Sequence, residues 1–381
     1  MRTTLTAVTA ALAATAVALS VAVAAPAAAA PTASATASAD HEATRHALRT
    51  AVADGVPGGT ATVWDAGGSW AAAEGVGDLA TGSPRARNDR YRIGSLTKPF
   101  VATVVLQLEA EGRLSLDDTV DRWLPGVVEG HGHDGRRITL RQLLNHTSGV
   151  YSYTADKDFS RAHFTRDGFF EHRYDTLAPA DLVAVAMSHA PDFEPGTSWY
   201  YSNTNYVLAG MVVEEVTGRP YGEEIRRRVI EPLALGATSV PGHRVTVQPV
   251  GRGYSHLSPD PDGPVHDVTE LNPSLAGASG EMISSAGDLN RFFTALLGGR
   301  LLPERQLTEM TTTVADTGYG LGLVKRTLSC GVTVWGHDGT IHGFSSDAVA
   351  TRDGRHALAL NFNADWASGG TAVVEAEFCG A

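Results

Sequence analysis

Ser95 and Lys98 lie three residues apart, so that on a helix their side chains share one face. A serine hydroxyl is a weak nucleophile unless a neighbouring base takes its proton, and a lysine held out of water can do so. The apolar run at residues 100–108 predicts a buried helix with both polar groups in its first turn. The spacing indicates covalent serine chemistry, although a helix cap followed by a surface lysine would show the same pattern.

A second polar stretch contains Tyr201 and Asn203, in a loop between Pro195 and the start of the next apolar helix. A phenol in such a loop can relay protons, and an amide can hold the amide group of a substrate. The alternative is a helix-capping loop, because Ser202, Asn203 and Thr204 are all good capping residues.

A third stretch ends a predicted strand and contains His337, Asp338, Gly339 and Thr340. The small Gly339 would let a substrate backbone lie along the strand, and the N–H group just beyond it could complete an oxyanion hole. The same His-Asp-Gly triplet recurs at His133, in a loop without a strand pattern. The triplet is therefore a weak signal when taken alone.

Metal and cofactor chemistry finds little support in the sequence. His131 and His133 could bind a metal, but no other ligand lies near them in the sequence, and His41 and His46 have the wrong spacing for a zinc helix motif. We therefore predict no metal and no cofactor. The sequence also lacks a Gly-x-Ser-x-Gly elbow, which argues against the α/β-hydrolase fold.

The elements that must position these residues follow from hydrophobic periodicity. Both ends of the chain supply strands and the middle supplies helices, which predicts an α+β fold with one antiparallel sheet and an inserted helical lobe. The predicted helices are residues 40–54, 139–145, 180–187, 206–216, 221–230, 286–297 and 372–378, besides the one that follows Ser95. The predicted strands are a pair within 59–77, then 319–325, 333–337, 344–351 and 356–363.

The first 39 residues carry one charge, Arg2, followed by an Ala/Val/Leu run and a Pro/Ala/Thr/Ser tail, as a secretory signal and spacer do. No second apolar run is long enough to span a bilayer, so we expect a released, monomeric protein rather than an anchored one. The net charge is −12 and no basic stripe is present, which argues against nucleic acid as a partner. In an exported chain, a disulfide between Cys330 and Cys379 is the default expectation.

Taken together, in this order and at these separations, the three stretches resemble the penicillin-recognising serine hydrolases, in which Ser-x-x-Lys, Tyr-x-Asn and Lys/His-x-Gly line one cleft. The likeness is strongest to secreted serine D-alanyl-D-alanine carboxypeptidases related to class C β-lactamases. It covers nearly all of residues 40–381 and implies a β-lactamase/transpeptidase-like fold. Its α/β lobe would comprise about 40–95 and 275–381, and its mainly helical lobe about 96–274.

The resemblance implies acyl transfer. Ser95 would attack a carbonyl, with Lys98 as base or as the charge that tunes Tyr201. The N–H groups of Ser95 and Thr340 would hold the oxyanion, and Asn203 would bind the substrate amide. Tyr201 would return a proton to the leaving group, and water would then release the acyl group.

Two departures from the pattern concern substrate recognition. Related carboxypeptidases carry an arginine for the substrate carboxylate where this chain has Val324, and strand alternation points Lys325 away from that face. Asp338 stands where Thr or Ser is common, and its charge would repel a carboxylate. His337 replaces a frequent lysine and would be charged only at mildly acidic pH. Carboxylate recognition is therefore expected to be weakened.

The leading interpretation is a secreted D-alanyl-D-alanine carboxypeptidase-like hydrolase acting on peptidoglycan-type or D-amino-acid peptides. The same site could instead serve an esterase, a D-aminopeptidase, a D-amino-acid amidase or a β-lactamase. A non-catalytic penicillin- or peptidoglycan-binding protein is the alternative of a different class. In each case the partner is a small peptide, ester or β-lactam.

Overall fold

The computed structural model describes residues 41–245, 251–260 and 262–380. The predicted signal and spacer, residues 1–39, lie outside the described residues. The first described residue, His41, comes one residue after the predicted start of the hydrolase domain. No helix in the described ranges has the length and apolar character needed to cross a membrane.

The helices are α1 (Glu42–Ala53), α2 (Thr97–Ala110), α3 (Val120–Trp123), α4 (Leu140–Leu144), α5 (Lys157–Phe164), α6 (Arg166–His172), α7 (Pro179–Met187), α8 (Asn203–Thr217), α9 (Tyr221–Ile225), α10 (Ala286–Leu297), α11 (Glu304–Thr311) and α12 (Gly370–Cys379). Each predicted helix has a counterpart in the structure, although the α-helical part of 221–230 ends at Ile225, and α3, α5, α6 and α11 were not predicted.

The strands are β1 (Gly58–Asp65), β2 (Gly68–Asp78), β3 (Ser83–Pro84), β4 (Tyr91–Arg92), β5 (Glu129–Gly130), β6 (His133–Asp134), β7 (Tyr254–Ser255), β8 (His266–Asp267), β9 (Ile283–Ser284), β10 (Val324–Thr327), β11 (Thr333–Ile341), β12 (Phe344–Thr351) and β13 (Ala357–Phe362).

A seven-stranded antiparallel sheet combines both ends of the chain, in the order β10-β11-β12-β13-β1-β2-β3. The junction is the pairing of β13 with β1, in which Leu360 lies opposite Ala61. The segment between β3 and β10 is mainly helical. This confirms the predicted fold class, an antiparallel sheet from both chain ends with inserted helices.

Both faces of the sheet are covered, because the alternate side chains of its central strands enter two different cores. On β13, Leu358 and Leu360 pack with α1 and α12 in one core, whereas Ala357 and Ala359 belong to the larger core with the inserted helices. Phe292 of α10 stacks on Phe100 of α2 with ring centroids 3.7 Å apart, which fixes α2 against the layer that lies on the sheet.

Two strand predictions differ from the structure. A strand was expected over residues 319–325, but it begins only at Val324, because Gly322 has a φ of +74° and the chain turns there. Conversely, β11 continues past His337 to Ile341 and so includes Gly339 and Thr340. The second difference matters for the site, since it gives β11 an open edge beyond the end of β10 at the Val324–Gly336 pair.

Candidate active site

Ser95 lies in the 3-10 turn Gly94–Leu96 directly before α2, rather than inside the first turn of the helix as predicted. Gly94 has a φ of +51°, and a Cβ atom there would lie 2.8 Å from the carbonyl oxygen of Thr340. A Cβ atom at Gly339 would lie 2.0 Å from the carbonyl oxygen of Ile93 and 3.0 Å from the amide nitrogen of Ser95. The two glycines thus allow the main chain of β11 to lie directly against the serine turn.

The side chain of Lys98 points into the protein from the first turn of α2 and is fully buried. Its Nζ lies 3.0 Å from Ser95 Oγ, 2.8 Å from Asn203 Oδ1 and 2.8 Å from the carbonyl oxygen of Ser279. Burial lowers the pKa of Lys98 well below its usual value, and the negative charge of Asp338 opposes this only in part. The environment therefore favours the neutral amine.

All three contacts are with oxygen atoms that can accept, so they would also serve the three hydrogens of an ammonium group, and it is burial that favours the neutral amine. In the neutral form, two hydrogens can be donated to Asn203 Oδ1 and to the carbonyl oxygen of Ser279, both of which can only accept. The lone pair is then left for Ser95 Oγ. In this arrangement the lysine is able to accept the hydroxyl proton of Ser95.

Tyr201 approaches the serine from another side, and its hydroxyl donates a hydrogen bond of 2.8 Å to Ser95 Oγ. Burial raises the pKa of Tyr201 above its usual value, so the phenol keeps its proton at neutral pH. The Nζ atom of Lys98 lies 4.8 Å from the centre of the Tyr201 ring. Serine, amine and phenol therefore meet at one point, as the three sequence stretches predict.

Asn203 is the first residue of α8, and its amide links the lysine to the neighbouring loop. Its Oδ1 accepts from Lys98, and its Nδ2 donates to Thr154 Oγ1 over 3.1 Å. The capping-loop alternative is not supported, since the N-cap residue Ser202 makes no side-chain cap and Thr204 bonds the carbonyl oxygen of Tyr151.

His337 is linked to the loop that carries Tyr201 by a chain of hydrogen bonds through His146 and Tyr319. The backbone N–H of Ser202 donates to His146 Nδ1, so the hydrogen of this neutral ring is on Nε2, which is 3.2 Å from the hydroxyl of Tyr319. The Tyr319 hydroxyl in turn is 2.9 Å from His337 Nε2. His337 Nδ1 then donates to the carbonyl oxygen of Asp338.

The expectation that His337 is charged at mildly acidic pH is wrong. Burial lowers its pKa to about 4, and the nearby Asp338 and its carbonyl only partly counteract this effect. The imidazole is therefore neutral over the pH range in which a charged lysine would act in related sites. Its contribution to the site is a fixed neutral ring rather than a positive charge.

Asp338 lies beside the site but is open to water. Alternation along β11 places its side chain on the opposite face from His337, next to Asp347 of β12, and the carboxylate is 72% exposed. Its charge still acts on the buried groups of the site, since beside the larger effect of burial it raises the pKa of both Lys98 and Tyr201.

The two basic residues of β10, Lys325 and Arg326, do not replace the missing arginine at Val324. Val324 is half-buried, and the side chain of Lys325 alternates to the other face of the strand. Arg326 binds both carboxylate oxygens of Asp347. The arginine position of related carboxypeptidases is thus held by an apolar side chain, without a compensating cation from these neighbours.

Three groups that hold the site together were not identified from the sequence. The Ser279 carbonyl acts through the backbone, to which residue identity provides no clue. Tyr319 and His146 come from distant segments, and their ring centroids are 4.8 Å apart. Contacts of this kind depend on which loops meet in three dimensions.

The histidines considered as metal ligands do not form such a site. His133 is buried, and burial lowers its pKa, with a backbone hydrogen bond to His189 acting in the opposite direction. Within the ranges that the structure describes, no group of three or more His, Cys, Asp and Glu side chains could hold a metal ion.

Comparison with known proteins gives consistent results. The Beta-lactamase family model matches residues 42–370 of this chain. Penicillin-binding protein 4* from Bacillus subtilis is 28% identical over 304 residues, which cover 74% of this chain. They cover 63% of that relative, so this chain spans less than two thirds of its length.

Two solved structures resemble this one over most of their length. The D-stereospecific amidohydrolase from Streptomyces sp. is 60% identical, with a TM-score of 0.85 over 90% of this chain and 99% of that one. The D-amino acid amidase from Ochrobactrum anthropi SV3, solved with L-phenylalanine amide, is 29% identical, with a TM-score of 0.75 over 88% of this chain and 95% of that one.

Proposed function

Because this chain belongs to the Beta-lactamase family and is a serine hydrolase, we propose that it hydrolyses amides and esters whose acyl group is a D-amino acid. The observation that carries the proposal is the cleft without a free cation at Val324 and with a neutral His337. A substrate with a terminal carboxylate beside the scissile bond would lack a counter-charge there. The amide of a single amino acid has no such carboxylate.

In the proposed reaction, Lys98 takes the proton of Ser95 as Oγ attacks the substrate carbonyl. The lowered pKa of Lys98 and the raised pKa of Tyr201 support the amine as the base and the phenol as a proton donor. The N–H groups of Ser95 and Thr340 hold the oxyanion on the open edge of β11. The C–N bond then breaks, with Tyr201 giving its proton to the leaving nitrogen and receiving in exchange the proton that Lys98 took from Ser95.

Deacylation completes the cycle. Water attacks the ester on Ser95, and the proton that it loses returns through Lys98 and Tyr201 to the serine oxygen. The products are a D-amino acid and ammonia or an amine. In this proposal, Asn203 donates the second hydrogen of Nδ2 to the oxygen of the substrate amide, while its Oδ1 accepts from Lys98 and its first Nδ2 hydrogen stays on Thr154.

The D stereochemistry is inferred from the relatives. The Streptomyces protein that is 60% identical is described as a D-stereospecific amidohydrolase, and the Ochrobactrum protein as a D-amino acid amidase. Carboxypeptidase action on D-alanyl-D-alanine peptides, the leading interpretation of the sequence, becomes the second candidate, supported by the penicillin-binding relative.

A substrate panel tests the proposal. We expect D-phenylalanine amide to be hydrolysed at least about 100-fold faster, in kcat/KM, than both L-phenylalanine amide and an N-acyl-D-alanyl-D-alanine peptide. A faster rate on the D-alanyl-D-alanine peptide would support the carboxypeptidase instead. A methyl ester, nitrocefin and a fluorescent penicillin complete the panel.

The serine variant provides the control. Ser95→Ala should lower kcat by roughly 10⁴-fold or more and abolish labelling by a fluorophosphonate. The matched variant Ser188→Ala removes an exposed hydroxyl that contacts only the carbonyl oxygen of Val185 and should behave as the wild type. Full activity in Ser95→Ala would exclude the proposed nucleophile.

We also propose that residues 1–39 are removed on export and that 40–381 act as one monomeric hydrolase domain outside the cell. The single charge before a long apolar run and the pairing of Cys330 with Cys379 support this. The mass of the protein purified from culture medium would give the cleavage site. Retention of residues 1–39 in the cytoplasmic fraction would contradict export.

A further inference from the structure

A large cavity lies behind the catalytic lysine, among α7, α8 and the segments that follow them. Its volume is about 1170 Å³. Its lining does not include Ser95, Lys98, Tyr201 or Asn203. Gly277, Ala278 and Glu281 form part of its wall, and the carbonyl oxygen of Ser279, between them, contacts Lys98. The cavity and the catalytic centre therefore lie on two sides of one short backbone segment.

One carboxyl group in this wall has an oxygen atom without a partner among the described residues, although the backbone N–H of Gly242 bonds the group. Glu281 is only 2% exposed, and its Oε2 atom makes no hydrogen bond within the described residues. Leaving a buried carboxylate oxygen without a donor is costly, so such atoms are uncommon in proteins. The hydroxyl of Tyr221, also in the wall, is similarly buried and has no partner there.

Two carboxyl groups at the cavity have no ion-pair partner among the described residues. Glu214 of α8 lines the cavity together with Glu281, whereas Glu223 and Glu231, also in the lining, are engaged by Arg226. The guanidinium groups that remain are Arg244 in the lining and the buried Arg92, whose charge acts on Glu281.

The rest of the wall is apolar. Side chains along one face of α8 and from α7 and its neighbours provide a surface for a hydrocarbon group. The apolar side chains of the lining are Leu177, Leu182, Val207, Met211, Ile230, Leu235 and Val240.

We propose that this cavity is a second ligand site, which binds an amphipathic primary ammonium compound with its nitrogen between Glu281 and Glu214. The apolar part of the ligand packs against Leu182, Val207 and Met211. This site is separate from the substrate cleft, and the inference does not depend on which amide the enzyme hydrolyses.

Calorimetric titration with 4-phenylbutylammonium tests the charge requirement. We expect binding to the full protein with one site, and at least about tenfold weaker binding of the neutral 4-phenylbutanol and of 4-phenylbutyrate. Equal affinity for the amine and the alcohol, or no binding of the amine, would overturn the proposal.

Two variants place the binding in the cavity. Glu281→Gln keeps the size of the side chain and should weaken 4-phenylbutylammonium at least about tenfold. Glu215→Gln, which changes an exposed neighbour of Glu214 that does not line the cavity, should leave the affinity unchanged. Equal effects of the two variants, or none from Glu281→Gln in a protein with wild-type melting temperature, would contradict the assignment.

Proton release gives a readout that simple loss of packing would not produce. Burial raises the pKa of Glu281 to about 8, helped by Glu214 and opposed by the backbone N–H of Gly242 and by Arg92, so Glu281 in the empty site is protonated at neutral pH. The other titratable or charged groups in the lining are Tyr221, Glu223, Arg226, Glu231, His243 and Arg244. Binding of the ammonium at pH 7 should release up to one proton, seen as a buffer-dependent enthalpy that disappears in Glu281→Gln. A buffer-independent enthalpy in the wild type would count against the proposed contact.

Discussion

The reactivity of Ser95 depends on how completely its neighbours exclude water. Lys98 is fully buried, and the loss of hydration disfavours its charged form. The phenol of Tyr201 is disfavoured as an anion for the same reason. At neutral pH, burial therefore favours a neutral amine on Lys98 and a protonated phenol on Tyr201, and both groups contact Ser95 Oγ.

The pH dependence of kcat/KM should report the lysine and not the histidine. The rate should rise as the pH increases through the lowered pKa of Lys98, because only the neutral amine can accept the serine proton. His337, with a pKa of about 4, should not contribute above about pH 5.5. Rates measured in His337→Gln should keep the midpoint of the acid limb within about 0.3 pH unit of the wild type.

Glutamine is the suitable replacement because its Oε1 can accept from the Tyr319 hydroxyl, as His337 Nε2 does. A midpoint that moves by about one pH unit or more in this variant would assign the acid limb to the histidine. It would then contradict a neutral His337 in the active enzyme.

At the level of residues, the sequence predicts side chains better than it predicts backbone groups. Ser95, Lys98 and Tyr201 could be identified because their chemistry and spacing are visible in the chain. The carbonyl oxygen of Ser279 could not, since any residue carries such an oxygen and only the path of the backbone brings it to Lys98. The pKa of His337 depends on burial, which the local sequence does not reveal.

Two elements, the serine turn and strand β11, approach each other closely enough that a side chain at the contact would clash. The open edge of β11 beyond Gly336 then provides main-chain groups along which an extended substrate can lie. The geometry of the oxyanion site is therefore set by backbone packing between these two elements.

Gly339→Ala should separate them. The new Cβ would lie 2.0 Å from a backbone oxygen that cannot rotate away, so β11 must move. We expect a loss of about 2 kcal/mol or more in the free energy of unfolding and at least a tenfold fall in kcat. Chemical denaturation and hydrolysis rates measure the two effects.

Gly287→Ala is the matched control. Gly287 lies in α10 with nothing near the position of its Cβ, so alanine should stabilise the helix by up to about 1 kcal/mol with kcat unchanged. Wild-type activity in Gly339→Ala would show that the close contact is not needed for catalysis.

Element boundaries show where periodicity fails. Strand β12 was predicted with the correct ends, and the Asp353-Gly354 turn signal follows it closely. The segment from Tyr319 was also predicted as a strand, but none forms before Val324, because its glycines allow a turn. The conformations open to glycine decide the outcome there.

On the scale of the whole molecule, strands from the two ends of the chain pair within one sheet. A disulfide ties the last helix to this sheet. Cys330, in the turn between β10 and β11, is joined to Cys379 at the end of α12 across 49 residues. Loop entropy predicts that the double variant Cys330→Ala/Cys379→Ala loses about 4 kcal/mol in the free energy of unfolding.

The activity of this double variant should remain close to the wild type well below its melting temperature, since neither cysteine contacts the site. Thermal denaturation together with kcat/KM tests both statements. An unchanged melting temperature would indicate that the bond does not form or does not stabilise.

Stability should also depend on pH, because some histidines are buried in the neutral form. Burial lowers the pKa of His342 to about 4, and its Nε2 donates to the carbonyl oxygen of His163. The unfolded chain protonates this ring below about pH 6.5, so unfolding takes up a proton in that window. The free energy of unfolding should fall by about 2 kcal/mol between pH 7 and 5 from this residue alone.

His342→Gln should remove that part of the pH dependence, because glutamine can make the same hydrogen bond but does not titrate. The exposed His46→Gln variant should keep the wild-type slope. Denaturant titrations at pH 7 and 5 give the comparison, and equal slopes in all three proteins would rule out His342 as the source.

The contact between α1 and α12 has a practical consequence. Thr44 donates to Glu377 over 2.6 Å, so the first and last described helices are joined side by side on the face of the sheet away from Ser95. A resin or electrode surface coupled beside either helix would hold the enzyme with its cleft turned outward. Immobilised preparations attached there should retain nearly all of their turnover, whereas attachment through the loops around Tyr201 should block it.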